Sequence, residues 1–214
     1  MNRFIRVSGF FNIIFGAVFL IYWSLYGLFL PFKEYSTSIV PLVSDPDWVW
    51  INSLGAFAPM FGIVGVTGIF FIQKDKGNWG AITGFVLTVF GLTLASAQMF
   101  WETYIWKIIS LSNPELLIYD GPLYNNAVLF GVMVTGAVIF SLGYFLLGIY
   151  SRNIDSLPSL GLQLLIIGAP LFGLATLFGP IQQIIRIIGI AGFSSGLIIL
   201  GVRMQKIRDQ DMQN

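Results

Sequence analysis

The chain has 214 residues, 56% of them hydrophobic and only 10% charged, with a formal net charge of +1 and a mean hydropathy of +0.82. A soluble domain carries about 25% charged residues, so a water-soluble enzyme or binding module is excluded and the bilayer is the expected solvent. With no cysteine and no histidine, the chain lacks disulfides, iron–sulfur ligands, thiolate nucleophiles, imidazole metal ligands and the commonest general base.

The charges divide the sequence. Charge-free runs cover 7–32, 48–73, 77–101 and 121–151. Each is long enough for one crossing, since about 20 apolar residues in a helix traverse a hydrocarbon core of about 30 Å. The first begins after Arg3 and Arg6, in the manner of a signal peptide, but its apolar stretch is too long and lacks a small-x-small cleavage site before Pro31; a retained helix is expected. The last apolar block, 156–202, is interrupted only by Arg186 and would be about 70 Å long as one helix. Phe178-Gly179-Pro180 near its middle supplies a turn, because proline lacks the amide donor and glycine relaxes the backbone. The expected fold is all-α, one domain over 1–214, with six transmembrane helices near 6–30, 50–72, 79–101, 124–150, 160–178 and 181–202.

Lysine and arginine orient these spans. With the amino terminus inside, Arg3, Arg6, Lys74, Lys76, Arg152, Arg203, Lys206 and Arg208 face the cytoplasm, whereas only Lys33 and Lys107 lie outside. The positive-inside rule therefore places both termini in the cytoplasm of a cell membrane. The basic residues form no single patch, so nucleic acid is not an expected partner. Trp48, Trp50, Trp101, Tyr104, Trp106, Tyr119 and Tyr124 cluster at the outer level. They read as an interfacial belt, with an aromatic ligand cage as the alternative.

Small residues recur at helical spacing in Ala58-x-x-x-Gly62, Gly62-x-x-Gly65-x-x-Gly68, Gly80-x-x-x-Gly84 and Gly192-x-x-x-Gly196. In lipid, apolar burial does not pull helices together, and close backbone approach does. Internal packing is favoured over a dimer face. Asn12 and Gln163 lie deeper and are expected to hydrogen-bond neighbouring helices.

The sharpest polar set lies toward the outer side. Gln98 and Glu102 are four residues apart on one helix face, and Gln182, Gln183 and Arg186 share another. Counted along the helices, Glu102 and Arg186 reach overlapping depths, with Asn52, Asn125 and Asn126 at a similar level. Arginine in a span costs about 2.5–3.5 kcal/mol at the bilayer centre and seeks a partner. The set reads in three ways: a structural Glu102–Arg186 ion pair, a recess for a solute or proton, or an arginine that snorkels to the headgroups while Glu102 sits in water.

No nucleotide loop and no nucleophile elbow occur, and no metal or cofactor is expected. Arg6-x-x-Gly9, Gly77-x-x-Gly80, Trp101-Glu102 and Leu157-Pro158 are the features by which the chain resembles uncharacterised bacterial six-span integral membrane proteins. That resemblance implies a bacterial cytoplasmic membrane and carries no activity with it. The expected function is that of a non-catalytic accessory or structural membrane protein, in contact with lipid and a membrane-protein partner. The alternative is a small-solute or lipid carrier or binding protein using the outer recess; an enzyme ranks third.

Overall fold

A computed structural model describes residues 2–30, 38–73, 79–119, 121–123 and 126–207. Lys33, Lys74, Lys76, Tyr124, Asn125 and Arg208 lie outside these residues. The described chain is an all-α bundle: α1 (Asn2–Phe29), the short α2 (Val40–Ser44), α3 (Trp48–Gln73), α4 (Trp79–Phe100), α5 (Trp106–Ser112), α6 (Ala127–Tyr150), α7 (Ser159–Gly173) and α8 (Gln182–Lys206). A π-helical turn, Trp101–Ile105, joins α4 to α5 without a break, and a 3-10 segment, Ala175–Ile181, joins α7 to α8.

Five helical stretches are long and apolar enough to cross a membrane: Arg3–Phe29, Trp48–Gln73, Trp79–Ser112, Ala127–Tyr150 and Gln182–Lys206. Two boundaries depart from the expected spans. The helix expected to end at residue 101 continues to Ser112, because nothing in Glu102-Thr103-Tyr104-Ile105-Trp106-Lys107 breaks a helix and the next proline is Pro114. The helix expected over 160–178 stops at Gly173 after 15 residues, about 22 Å. The Phe178-Gly179-Pro180 turn is present, and Gly179 is the one described residue at positive φ (53°). The chain reaches it through 3-10 structure rather than α-helix.

The helices close a ring in chain order: α1 packs on α3, α3 on α4, α4 on α6, α6 on α7, α7 on α8, and α8 back on α1. Six rings fill its axis, Phe15 and Phe19 from α1, Phe140 and Tyr144 from α6, Phe172 from α7 and Phe193 from α8. Edge-to-face pairs 4.9–5.8 Å apart link them: Tyr144–Phe193, Phe19–Phe172, Phe140–Phe193, Phe15–Phe193 and Phe140–Phe172. Aromatic faces and edges carry opposite partial charge and favour this geometry.

Polarity runs inside out relative to a soluble bundle. Large apolar side chains such as Leu28 (78% exposed) and Ile187 (65%) face outward, while Asn12, Asn52, Gln73, Thr88 and Ser96 are buried. Asn12 donates to the Gly65 carbonyl at 3.1 Å and toward the Met204 sulfur at 3.4 Å, as expected of it. Ser96 donates to the Ala56 carbonyl at 2.9 Å, and Gln73 donates to the Leu147 carbonyl at 3.0 Å and to the Ser151 hydroxyl. Gln163 is exposed on α7 instead. Buried side-chain bonds between helices, with apolar surface turned outward, fit hydrocarbon as the surrounding medium. The protein is a membrane-embedded helical bundle.

Candidate functional site

The polar set concentrates at the end of the ring away from the chain termini, where the connecting segments fold over the helices. There Ile39 donates its amide to the Leu117 carbonyl at 3.3 Å. Lys107 clamps the start of the α2–α3 connection through the carbonyls of Ser44 (2.7 Å) and Asp45 (3.1 Å). The lysine is thereby used structurally.

Four of the sequence-predicted residues fall into two separate grooves. Gln98 and Glu102 come together, the Gln98 amide donating to the Glu102 carboxylate at 2.8 Å. They line a groove of about 200 Å³ between α4 and α6, with Trp101, Trp106, Val132 and Met133. Arg186 and Gln183 line a larger groove of about 760 Å³ between α1 and α8, with Trp23, Ser24, Gly27 and Ile187. Glu102 and Arg186 feel each other's charge, but they make no ion pair: the hydrogen bond from Gln98 is the one direct polar contact of the Glu102 carboxylate among the described residues. The remaining two predicted residues have other surroundings. Asn126 is an exposed helix cap, its side-chain oxygen accepting from the amides of Val128 and Leu129 at 3.0 Å each, a role typical of asparagine before a first helical turn. Gln182 opens α8, its backbone amide bonded to the Gly179 carbonyl.

Arg186 is held by an aromatic ring rather than a carboxylate. Its guanidinium lies 5.4 Å from the centroid of Trp23, within reach of the ring's negative face. Among the described residues it has no hydrogen bond or salt bridge. Trp23 belongs to a chain of aromatic contacts leading away from the groove, 5.4 Å to Tyr26 and from Tyr26 6.3 Å to Trp48. The Trp48 indole then donates to the backbone carbonyls of Glu102 (3.3 Å) and Thr103 (3.2 Å). Nearby, Tyr22 donates to Asn52 at 3.1 Å, and Asn52 donates to the Trp48 carbonyl at 2.8 Å. The two charged grooves are thus the two ends of one aromatic and amide network.

This network revises the aromatic belt. Trp50 (46% exposed) and Trp101 (41%) are at the surface as a belt requires, but Trp48 and Trp106 are buried and serve the fold. Tyr22, Trp23 and Tyr26 were not singled out from the sequence, because they lie within a charge-free run; their signal is Tyr22 and Tyr26 four residues apart with Trp23 beside them.

The large groove has a simple local origin. Ser24 and Gly27 on α1 and Ala191 on α8 are small residues lining it, and a side chain added at Gly27 would meet nothing within 4 Å. Its volume lies in the range of about 300–1,000 Å³ usual for small-molecule sites. Leu20, Leu28 and Ile187 on its walls are exposed, so it opens sideways to the surroundings of the bundle rather than into a central cavity. No protein-family model, curated protein or solved structure matches this chain.

Proposed function

We propose that this is a non-catalytic membrane protein that binds an anionic amphiphile in the groove between α1 and α8. Arg186 holds the headgroup, and the apolar chain lies along the outward faces of the two helices. The supporting observation is a guanidinium with no salt bridge and no hydrogen bond among the described residues, held by the face of Trp23, lining a laterally open groove of otherwise mostly apolar character. A charge in hydrocarbon surroundings demands compensation, and phosphate matches the planar fork of arginine through paired hydrogen bonds. Gln183 adds a neutral donor at the same level. Of the two expected roles, the geometry favours lipid binding over a purely structural part, because structural packing gives no reason to leave the Arg186 guanidinium donors without a hydrogen-bond acceptor at the edge of an open groove. The membrane is taken to be a bacterial cytoplasmic membrane, as the resemblance implies, with both termini inside on the lysine and arginine distribution.

The test is retention of lipid by the purified protein, measured by native mass spectrometry with phosphatidylglycerol and phosphatidylcholine offered together. Wild type is expected to retain phosphatidylglycerol preferentially. Arg186→Gln should weaken that retention at least tenfold, since a hydrogen bond to a charged group is worth about 1.5–3 kcal/mol. Gly27→Phe should weaken it as well, by filling the groove while leaving the guanidinium in place. Equal retention of both lipids by wild type, or unchanged retention by both variants, overturns the reading.

A further inference from the structure

The smaller groove, between α4 and α6, has the opposite charge and a different shape. Its charged group, Glu102, stands on the π-helical turn Trp101–Ile105, a local widening that is frequent at functional sites. The Gln98 amide fixes one carboxylate oxygen at 2.8 Å. No described lysine or arginine forms a salt bridge with this carboxylate. Around it the groove is walled by Trp101, Trp106, Val132 and Met133 and measures about 200 Å³. Val132 is 53% exposed, so the mouth faces the bilayer side of the bundle.

These features narrow the chemistry of an occupant. An ionised carboxylate repels anions and gains no direct ion pair from a neutral molecule. A hard inorganic cation such as calcium wants about 6–8 oxygen ligands, and no group of three or more aspartate, glutamate, histidine or cysteine side chains stands together among the described residues. An organic ammonium needs fewer oxygen contacts. Its charge pairs with the carboxylate, its carbon substituents fill apolar space, and indole rings attract such cations. The volume suits one headgroup-sized cation, with any chain attached to it lying outside the groove.

We propose that the groove between α4 and α6 binds the ammonium group of an amphiphile. Glu102 is the counter-ion, Gln98 positions the carboxylate, and Trp101 and Trp106 form the aromatic wall. This groove lies between different helices from the Arg186 groove and shares no lining residue with it.

The experiment uses the full chain in nanodiscs of phosphatidylglycerol, a lipid without an ammonium group, titrated with octyltrimethylammonium and followed by calorimetry. Wild type is expected to show saturable binding that octanol and octanoate do not displace. Glu102→Gln replaces the carboxylate with a neutral amide of the same size and should weaken binding at least tenfold. Val132→Trp fills the groove without touching the carboxylate and should abolish binding. Native mass spectrometry of protein taken directly from membranes then identifies the source. Glu102-dependent retention of phosphatidylethanolamine supports the site with a lipid headgroup as its ligand; Glu102-dependent octyltrimethylammonium binding without retained lipid supports it with a free organic cation. Non-saturable uptake by wild type, or equal binding by wild type and Glu102→Gln, overturns the proposal.

Discussion

Gly143→Val is expected to destabilise the bundle by about 3 kcal/mol or more, at the upper end of overpacking penalties, whereas Gly131→Ala should leave stability within about 0.5 kcal/mol of wild type. The difference lies in what each new side chain meets. A Cβ at Gly143 would run into the backbone nitrogen of Thr88 and come within 2.8 Å of the Leu87 carbonyl carbon and the Thr88 Cα. These are main-chain atoms of α4, and no rotamer change moves them away. The same seam is repeated from the other side, where a Cβ at Gly91 would lie 2.5 Å from the Phe140 Cα and one at Gly84 would lie 2.6 Å from the Leu147 nitrogen. Relief would require α4 and α6 to separate along much of their length, forfeiting the dispersion contacts that hold helices together where hydrocarbon supplies no hydrophobic drive. At Gly131 an added methyl meets nothing within 4 Å. Thermal unfolding of the two variants in the same detergent checks both expectations. Equal midpoints would show that close backbone contact between α4 and α6 is not what holds this part of the ring.

That seam also shows what a linear sequence reveals. Gly80-x-x-x-Gly84 is visible at once, and Gly84 does pack against α6. Its counterpart Gly143 belongs to no small-x-x-x-small pattern, with Ile139 and Leu147 four residues to either side, and what it packs against is backbone in a distant segment. Charges mark depth well and helix ends poorly. The positions of the charge-free runs anticipate the apolar helices, but Glu102 reads as the end of a span when it is in fact carried inside a continuous helix to Ser112. An acid ends an apolar stretch without ending the hydrogen bonding that makes a helix.

The candidate site follows the same logic. Spacing along one helix is a local property, so Gln98 with Glu102 was legible and the bond between them is present. The level of Arg186 relative to Glu102 was also inferable from residue rise. Which way each side chain faces around the ring depends on how six helices are rotated against one another, and no spacing within a single segment contains that information. Arg186 consequently meets Trp23 of α1, a residue in a run with no charge to draw notice. Asn126 illustrates the converse. It precedes the first turn of α6 in a residue type suited to capping, and a cap is what it forms.

Trp48→Phe is expected to cost about 1–3 kcal/mol, the penalty for leaving buried polar groups without a partner, and Trp48→Ala about 3–5 kcal/mol once a cavity is added. Trp48 is only 1% exposed, and its indole donates to the carbonyls of Glu102 and Thr103 within the π-helical turn. In that turn the Trp106 amide bonds to the Trp101 carbonyl, five residues back, so one residue more than an α-helical turn is accommodated. Phenylalanine keeps most of the ring's volume and removes only the donor. Trp50→Phe is the control: its indole bonds to Asp47 at 2.6 Å on an exposed site, where loss should cost about 0.5 kcal/mol or less. Unfolding midpoints of the three variants against wild type test these magnitudes. The consequence reaches beyond stability, because a π turn that relaxes to α geometry rotates the residues after it by about 100°. Trp106 would then leave the groove that it shares with Glu102, and a folded Trp48→Phe protein should lose octyltrimethylammonium affinity although it retains every residue of that groove. If Trp48→Phe melts with wild type and binds the cation equally well, the indole does not hold the turn, and the shape of the groove must come from the packing of α4 on α6 alone.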